Sequence, residues 1–270
     1  MPQLTFALNH MTAPTLPLDA FFALAAGLGI TAVEIRNDLP GNAILDGTTP
    51  ADVKAAARRH GLTIVSINAL QRFNEWSPDR ATEARSLIDY AAACGAQALV
   101  LVPTNDGTGQ ADGERQTHLR AALTALKPLL DDAGIVGLAE PLGFETCSLR
   151  SKAEAAEAIR SVGGAGTFRL VHDTFHHHLA GEPALFADLT GLVHISGVED
   201  SGISIADMRD GHRVLVGPGD RLGNIEQIKA LVAAGYVGPL SFEPFASAVH
   251  DLPDPQAAIA RSMAFLRKTV

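Results

Sequence analysis

The sequence predicts a (β/α)8 barrel, and three observations carry that reading. Eight short apolar runs alternate with stretches of helical periodicity. The 270-residue length suits one such barrel. The last four runs each end near an acid or imidazole side chain, as strands do when they converge on one face.

The runs are LTFALNH (4–10), AVEIRN (32–37), TIVSINA (63–69), ALVLVPT (98–104), IVGLAEP (135–141), FRLVHD (168–173), LVHISG (192–197) and PLSFEPF (239–245). Such nearly continuous apolar runs fit parallel strands buried on both faces. The helical stretches between them are LDAFFALAAGLG, PADVKAAARRHG, PDRATEARSLIDYAAACG, ERQTHLRAALTALKPLLDDAG, SKAEAAEAIRSVG, EPALFADLT and NIEQIKALVAAG, with DPQAAIARSMAFLRK closing the chain. Gly29, Gly61, Gly95, Gly134 and Gly235 precede strands, where glycine accepts the left-handed conformation that ends a helix. Pro50, Pro78 and Pro183 sit near helix starts, where a missing N–H costs nothing. An open doubly wound sheet is the runner-up, but the first strand runs into ALNHMTAPT rather than a glycine fingerprint.

Composition does not shift along the chain, so residues 1–270 read as one domain. No apolar run approaches the roughly 20 residues that span a bilayer, and the start lacks a basic leader. Only Cys94 and Cys147 are present, which points to a reducing, cytoplasmic compartment. A net charge of −9 disfavours a nucleic-acid partner. Oligomeric state stays open, although DAFFALAAGLG offers a face for a second subunit.

Glu140, Asp173, His194 and Glu243 stand at the ends of runs five to eight. Buried carboxylates are costly unless paired or metal-bound, and a barrel brings those ends together. Three carboxylates and one imidazole suit a divalent ion: Mn2+ or Mg2+ by their oxygen content, with Zn2+ also open. In the triplet His176–His178, His176 is placed to turn into the pocket, and His177 and His178 read as solvent-facing or helix-start residues. The longest connection, 198–224, carries DMRDGHR, with Arg209, Asp210, His212 and Arg213. It reads either as a charged surface loop or as a lid that touches substrate. VGPGDRLGN is first a turn signal, because no lysine follows at P-loop spacing.

The segments VEIRND, VSINAL, LVPTNDGT, EPLGFETCSLRS, HDTFHHHLAG, LVHISGVED and SFEPF resemble the xylose isomerase-like TIM-barrel superfamily, most closely its 2-keto-myo-inositol (inosose) isomerase branch. The resemblance implies one divalent metal on Glu140, Asp173, His194 and Glu243, with Glu140 and Glu243 transferring protons. It implies a small polyhydroxy ketone as substrate, a ketone shift through a cis-enediolate, and a substrate contact from His176. For such a substrate Arg36, Asn68 and His176, with Glu34 or Trp76, are expected to orient the hydroxyls, since Arg, Asn and His offer directional hydrogen bonds. Arg209 and His212 are the loop candidates. Related epimerases use an arginine shortly after the strand-seven histidine, where this chain has Val198, Glu199 and Asp200. Sugar epimerisation and inosose dehydration remain alternatives on the same scaffold. An endonuclease IV-like role is a more distant one, since Arg36, Asn68 and Thr104 or Asn105 stand where that enzyme needs histidines.

Overall fold

The computed structural model describes residues 4–41 and 44–270. Its strands are β1 (Phe6–Asn9), β2 (Ala32–Arg36), β3 (Thr63–Gln71), β4 (Ala98–Val102), β5 (Val136–Ala139), β6 (Phe168–Asp173), β7 (Thr190–Ile195) and β8 (Leu240–Phe242). Each pairs in parallel with the next, and β8 returns to β1 in the register Phe6↔Leu240, closing the barrel. The helices are α1 (Leu18–Gly27), α2 (Pro50–Arg59), α3 (Pro78–Cys94), α4 (Glu114–Ala133), α5 (Lys152–Ser161), α6 (Thr174–Ala180), α7 (Asn224–Ala233), α8 (Ser247–His250) and α9 (Pro255–Thr269). The expected (β/α)8 architecture is the one the chain adopts.

Two apolar layers hold it. Between strands and helices lies a large core that includes Phe21, Phe22, Leu87, Leu123, Ile159, Ile228 and Leu266. A smaller cluster joins Ala69, Ala98, Val100, Leu138, Val171 and Leu192 from neighbouring strands. Leu138, Val171 and Leu192 stand two residues before Glu140, Asp173 and His194, so strand alternation puts each pair on one face. Apolar packing at one level therefore gives way to ionisable groups at the strand ends.

The five punctuating glycines all take positive φ, from +67° to +95°. Pro50 and Pro78 open α2 and α3 as expected. The sixth helix does not lie on EPALFADLT. It begins directly after β6, because one Asp173 carboxylate oxygen accepts from the amides of Phe175 and His176 and caps it. It ends at Gly181 with φ +65°, and the EPALF segment, Pro183 included, is irregular.

Candidate metal centre

β5 to β8 deliver Glu140, Asp173, His194 and Glu243 to one point: a ligand atom from each lies within 4.8 Å of the other three. All four are buried. His194 Nδ1 lies 3.0 Å from Glu140 Oε1, 3.2 Å from Glu243 Oε2 and 3.9 Å from Asp173 Oδ2. Since Asp173 caps α6 through Oδ1, its Oδ2 is left to face the cluster.

The other ring nitrogen of His194 lies 3.1 Å from Glu34 Oε2. Glu34 is fully buried and accepts from the hydroxyls of Ser66 and Ser241 and from Asn68 Nδ2. A carboxylate behind a histidine fixes its tautomer and ring plane, leaving the opposite nitrogen to ligate. Burial pushes Glu34 up, but the charge and hydrogen bond of His194 outweigh it and hold the carboxyl at about 2.

Two buried arginines complete the cluster. Arg36 donates to Glu243 Oε1 at 2.8 Å and grips Asp38 with two further bonds of 2.8 Å. Arg213 donates to Asp173 Oδ2 at 2.6 Å, Glu243 Oε2 at 3.1 Å and Ser196 Oγ at 2.9 Å. Its guanidinium also lies over the rings of Phe245 and Phe175, at 4.6 and 5.1 Å. Burial raises Glu140. Glu243 is lowered in spite of its burial, because His194, Arg213 and Arg36 stabilise its charge. For His194, burial works downward, and the surrounding carboxylates Glu243, Glu34 and Glu140 overcome it and raise the pKa well above the usual range.

The charges test whether a cation fits. With His194 neutral, as a metal-ligating imidazole must be, Glu34, Glu140, Asp173 and Glu243 with Arg36 and Arg213 leave two formal negative charges among these buried groups. A divalent cation balances them, and the three-carboxylate, one-imidazole donor set suits Zn2+ or Mn2+. The residues fit the group.

A cavity of about 370 Å³ opens above the cluster, lined by Glu140, Glu243, Arg36, Asn68, His176 and Arg213 among others. Of the expected contact residues it gathers Arg36, Asn68 and His176. It does not gather Trp76, Arg209 or His212. Trp76 is half-buried against the hydrophobic core beside β3 and α3. Arg209 is turned back on its own loop by bonds to the Ala206 and Met208 carbonyls, and it lines a neighbouring cavity. His212 Nδ1 accepts from the Arg209 amide within the same turn.

Arg213 belongs to the loop that the sequence leaves open between charged surface and substrate-touching lid, and it was not singled out there; it is only 1% exposed. The signal was spatial: the segment folds back beside β7 through paired bonds between Gly197 and Val214. His177 also departs from its solvent-facing expectation, since its Nδ1 accepts from Lys152 at 2.7 Å.

The sequence profile described as a xylose isomerase-like TIM barrel matches residues 22–269, and the chain belongs to that family. Among solved structures it is similar to a xylose isomerase domain-containing protein from Salmonella typhimurium LT2. The two are 35% identical over 98% of this chain and 99% of that one, with a TM-score of 0.91. The IolI protein with a bound zinc atom shares 21% identity over 99% of both chains, with a TM-score of 0.87. An L-ribulose 3-epimerase shares 18% over 98% of this chain and 91% of its own, with a TM-score of 0.67. No curated protein sequence matches. Among the described residues, no helix is long and apolar enough to cross a membrane.

Proposed function

We propose that the protein is a divalent-metal-dependent isomerase that moves the ketone of an inosose to the neighbouring carbon, 2-keto-myo-inositol to 1-keto-D-chiro-inositol in type. The observation that carries this reading is the gathering of Glu140, Asp173, His194 and Glu243 beneath a polar cavity. The zinc in the similar IolI structure agrees with it.

A bound divalent ion supplies Lewis-acid polarisation of the substrate carbonyl and a template for the adjoining hydroxyl. One of Glu140 and Glu243 removes the proton from the carbinol carbon next to the ketone, leaving an enediolate. A proton returns to the former carbonyl carbon from a glutamate or a water that it holds. The hydroxyl proton passes from one oxygen to the other, and the ketone has moved. Arg36 and Arg213 line the cavity and oppose the negative charge that develops on the enediolate oxygens. His176 lines it too, and its buried Nδ1 has no partner among the described residues, so it is placed to meet a substrate hydroxyl.

Incubating the zinc- or manganese-loaded chain with 2-keto-myo-inositol in D2O, followed by NMR, tests the reading. A moved ketone with deuterium on carbon is expected. Loss of water would make the enzyme a dehydratase, and no change with any inosose would sink the proposal. Ketose epimerisation is the second reading, and Arg213 favours it. That residue supplies the arginine missing at 198–200, reaching the site from further along the same loop. Deuterium at an inverted carbon of a ketose, with inososes inert, would select it.

A further inference from the structure

A second cavity, about 530 Å³, adjoins the first on the strand-end face. The two share Asn105, Phe144 and Asp210 as common walls. Neither the ligand cluster nor the proposed proton transfer uses the second one. Its remaining walls come from the β5–α5 loop, from α6, and from the long loop after β7.

The lining is mixed in a particular way. Arg150 is fixed by bonds to the carbonyls of Gly143 and Leu179, and Arg209 by bonds to those of Ala206 and Met208. A guanidinium has five N–H donors, so each fork keeps donors beyond these bonds. Glu145 and Asp210 balance the two arginines, so the cavity has no surplus positive charge to select a phosphate or carboxylate. Its apolar wall is Phe144, Leu179 and Ile205. Ile205 is 49% exposed and is one of three large apolar side chains that the described residues leave in solvent. A neutral sugar ring has the matching character, with hydroxyls at its rim and C–H groups on its faces.

The floor is rigid. A Cβ on Gly143 would lie 2.3 Å from the His176 carbonyl oxygen and 2.6 Å from Leu179 Cβ, so the β5–α5 loop is pressed directly onto α6. The same helix carries His176 into the first cavity. The two cavities are therefore held in fixed relation by one packed seam.

We infer that the second cavity is a subsite for a neutral glycosyl substituent on the reacting ring, so that the enzyme accepts a glycosylated cyclitol ketone as well as the free one. The inference rests on the proposed function for the identity of the reacting ring, and the subsite itself stands on the joined cavities. The substituent leaves the first ring between Phe144 and Asp210 and lies along Ile205 toward Arg150 and Arg209.

The test is calorimetric binding to the full-length, zinc-loaded chain with two non-reacting probes, myo-inositol and a myo-inositol α-galactoside. The galactoside is expected to bind at least about tenfold tighter than myo-inositol, because the second ring adds contacts to a preformed wall. Ala206 is exposed on the loop bordering the second cavity, so Ala206→Trp fills space there without disturbing a packed core. This variant should remove the galactoside's advantage while holding myo-inositol affinity within about twofold. Equal affinities in the wild type, or a galactoside advantage that survives Ala206→Trp, overturn the subsite. Should inososes prove inert while the galactoside binds in this variant-sensitive way, the subsite stands and the proposed reaction falls. Inosose turnover with galactoside exclusion gives the reverse.

Discussion

His172 and Asp173 are neighbours on β6, yet strand alternation sends them into two buried polar clusters of opposite chemistry. Asp173 joins the carboxylate-rich group beneath the cavity. His172 joins a knot outside the barrel, where Lys152 Nζ bonds to His172 Nδ1 at 2.9 Å and His177 Nδ1 at 2.7 Å. The remaining ring nitrogen of His172 bonds to Gln227 Oε1 at 2.8 Å, and Gln227 donates onward to the Thr174 and Leu222 carbonyls. The knot closes on itself, with neutral imidazoles accepting from one ammonium. The mouth cluster does not close: its ligand atoms converge on one point beneath a cavity. Titratable residues alone do not mark a function, but convergent ones that open on a cavity do.

The largest effect should come from breaking the mouth. Glu243→Gln keeps the shape and removes one of the two proposed proton-transfer carboxylates together with a charge from the ligand cluster, so turnover of 2-keto-myo-inositol should fall by about a thousandfold or more. Elemental analysis should show less bound metal, with circular dichroism unchanged. Activity kept within a few-fold would place the chemistry elsewhere.

Breaking the knot should move stability instead. Lys152→Met leaves two buried imidazole nitrogens without their donor, at a cost of about 1–3 kcal/mol for each unmade bond. Urea unfolding should register the loss, while metal content and inosose kinetics hold near wild type. A Lys152 variant that loses metal before it loses stability would show that the clusters are coupled through β6.

The two clusters also differ in how far the sequence reveals them. The four ligand candidates could be read because barrel topology sends every strand's C-terminal end to one face, so position along a strand becomes position in space. Arg36 and Asn68 were legible for the same reason. Arg213 and the knot were not. Arg213 reaches the mouth from deep within a long loop, whose path depends on the Gly197–Val214 pairing rather than on any periodicity. Lys152 opens α5 and His177 sits in α6, elements that share no local signal. Trp76, a further expected contact, packs against the core and does not line the first cavity. The displaced α6 shows the same limit, since the Asp173 side chain, one of the four ligand candidates, caps that helix and decides where it begins.

A smaller effect follows from pH. His177 is held down to about 4, by burial first and by the Lys152 charge second. Burial also holds His10 at about 4, against the opposing pull of its bond to the Leu16 carbonyl. Both folded values lie below the ordinary 6.5, so between 6.5 and 4 the unfolded chain binds more protons. Stability should therefore fall as pH drops through that window, by about 1–2 kcal/mol per group after allowance for solvent. Burial likewise lowers Lys152 from 10.5 to about 8, so its contribution should rise across that upper interval. Urea midpoints across the acid window should show the slope, and His177→Gln should flatten part of it. An unchanged slope in that variant would remove the knot from the account.

The smallest effect is expected at His212. It belongs to the same loop as Arg213, one residue away, yet its ring nitrogen accepts from the Arg209 amide and does not reach the first cavity. His212→Gln keeps a side-chain acceptor for that turn, so inosose turnover should stay within about twofold of wild type. Arg213→Lys provides the contrast. It keeps one charge but loses the fork that spans Asp173, Glu243 and Ser196, so a drop of about tenfold or more is expected. Equal losses in both variants would mean that the whole loop, rather than the one buried guanidinium, sets the geometry of the mouth.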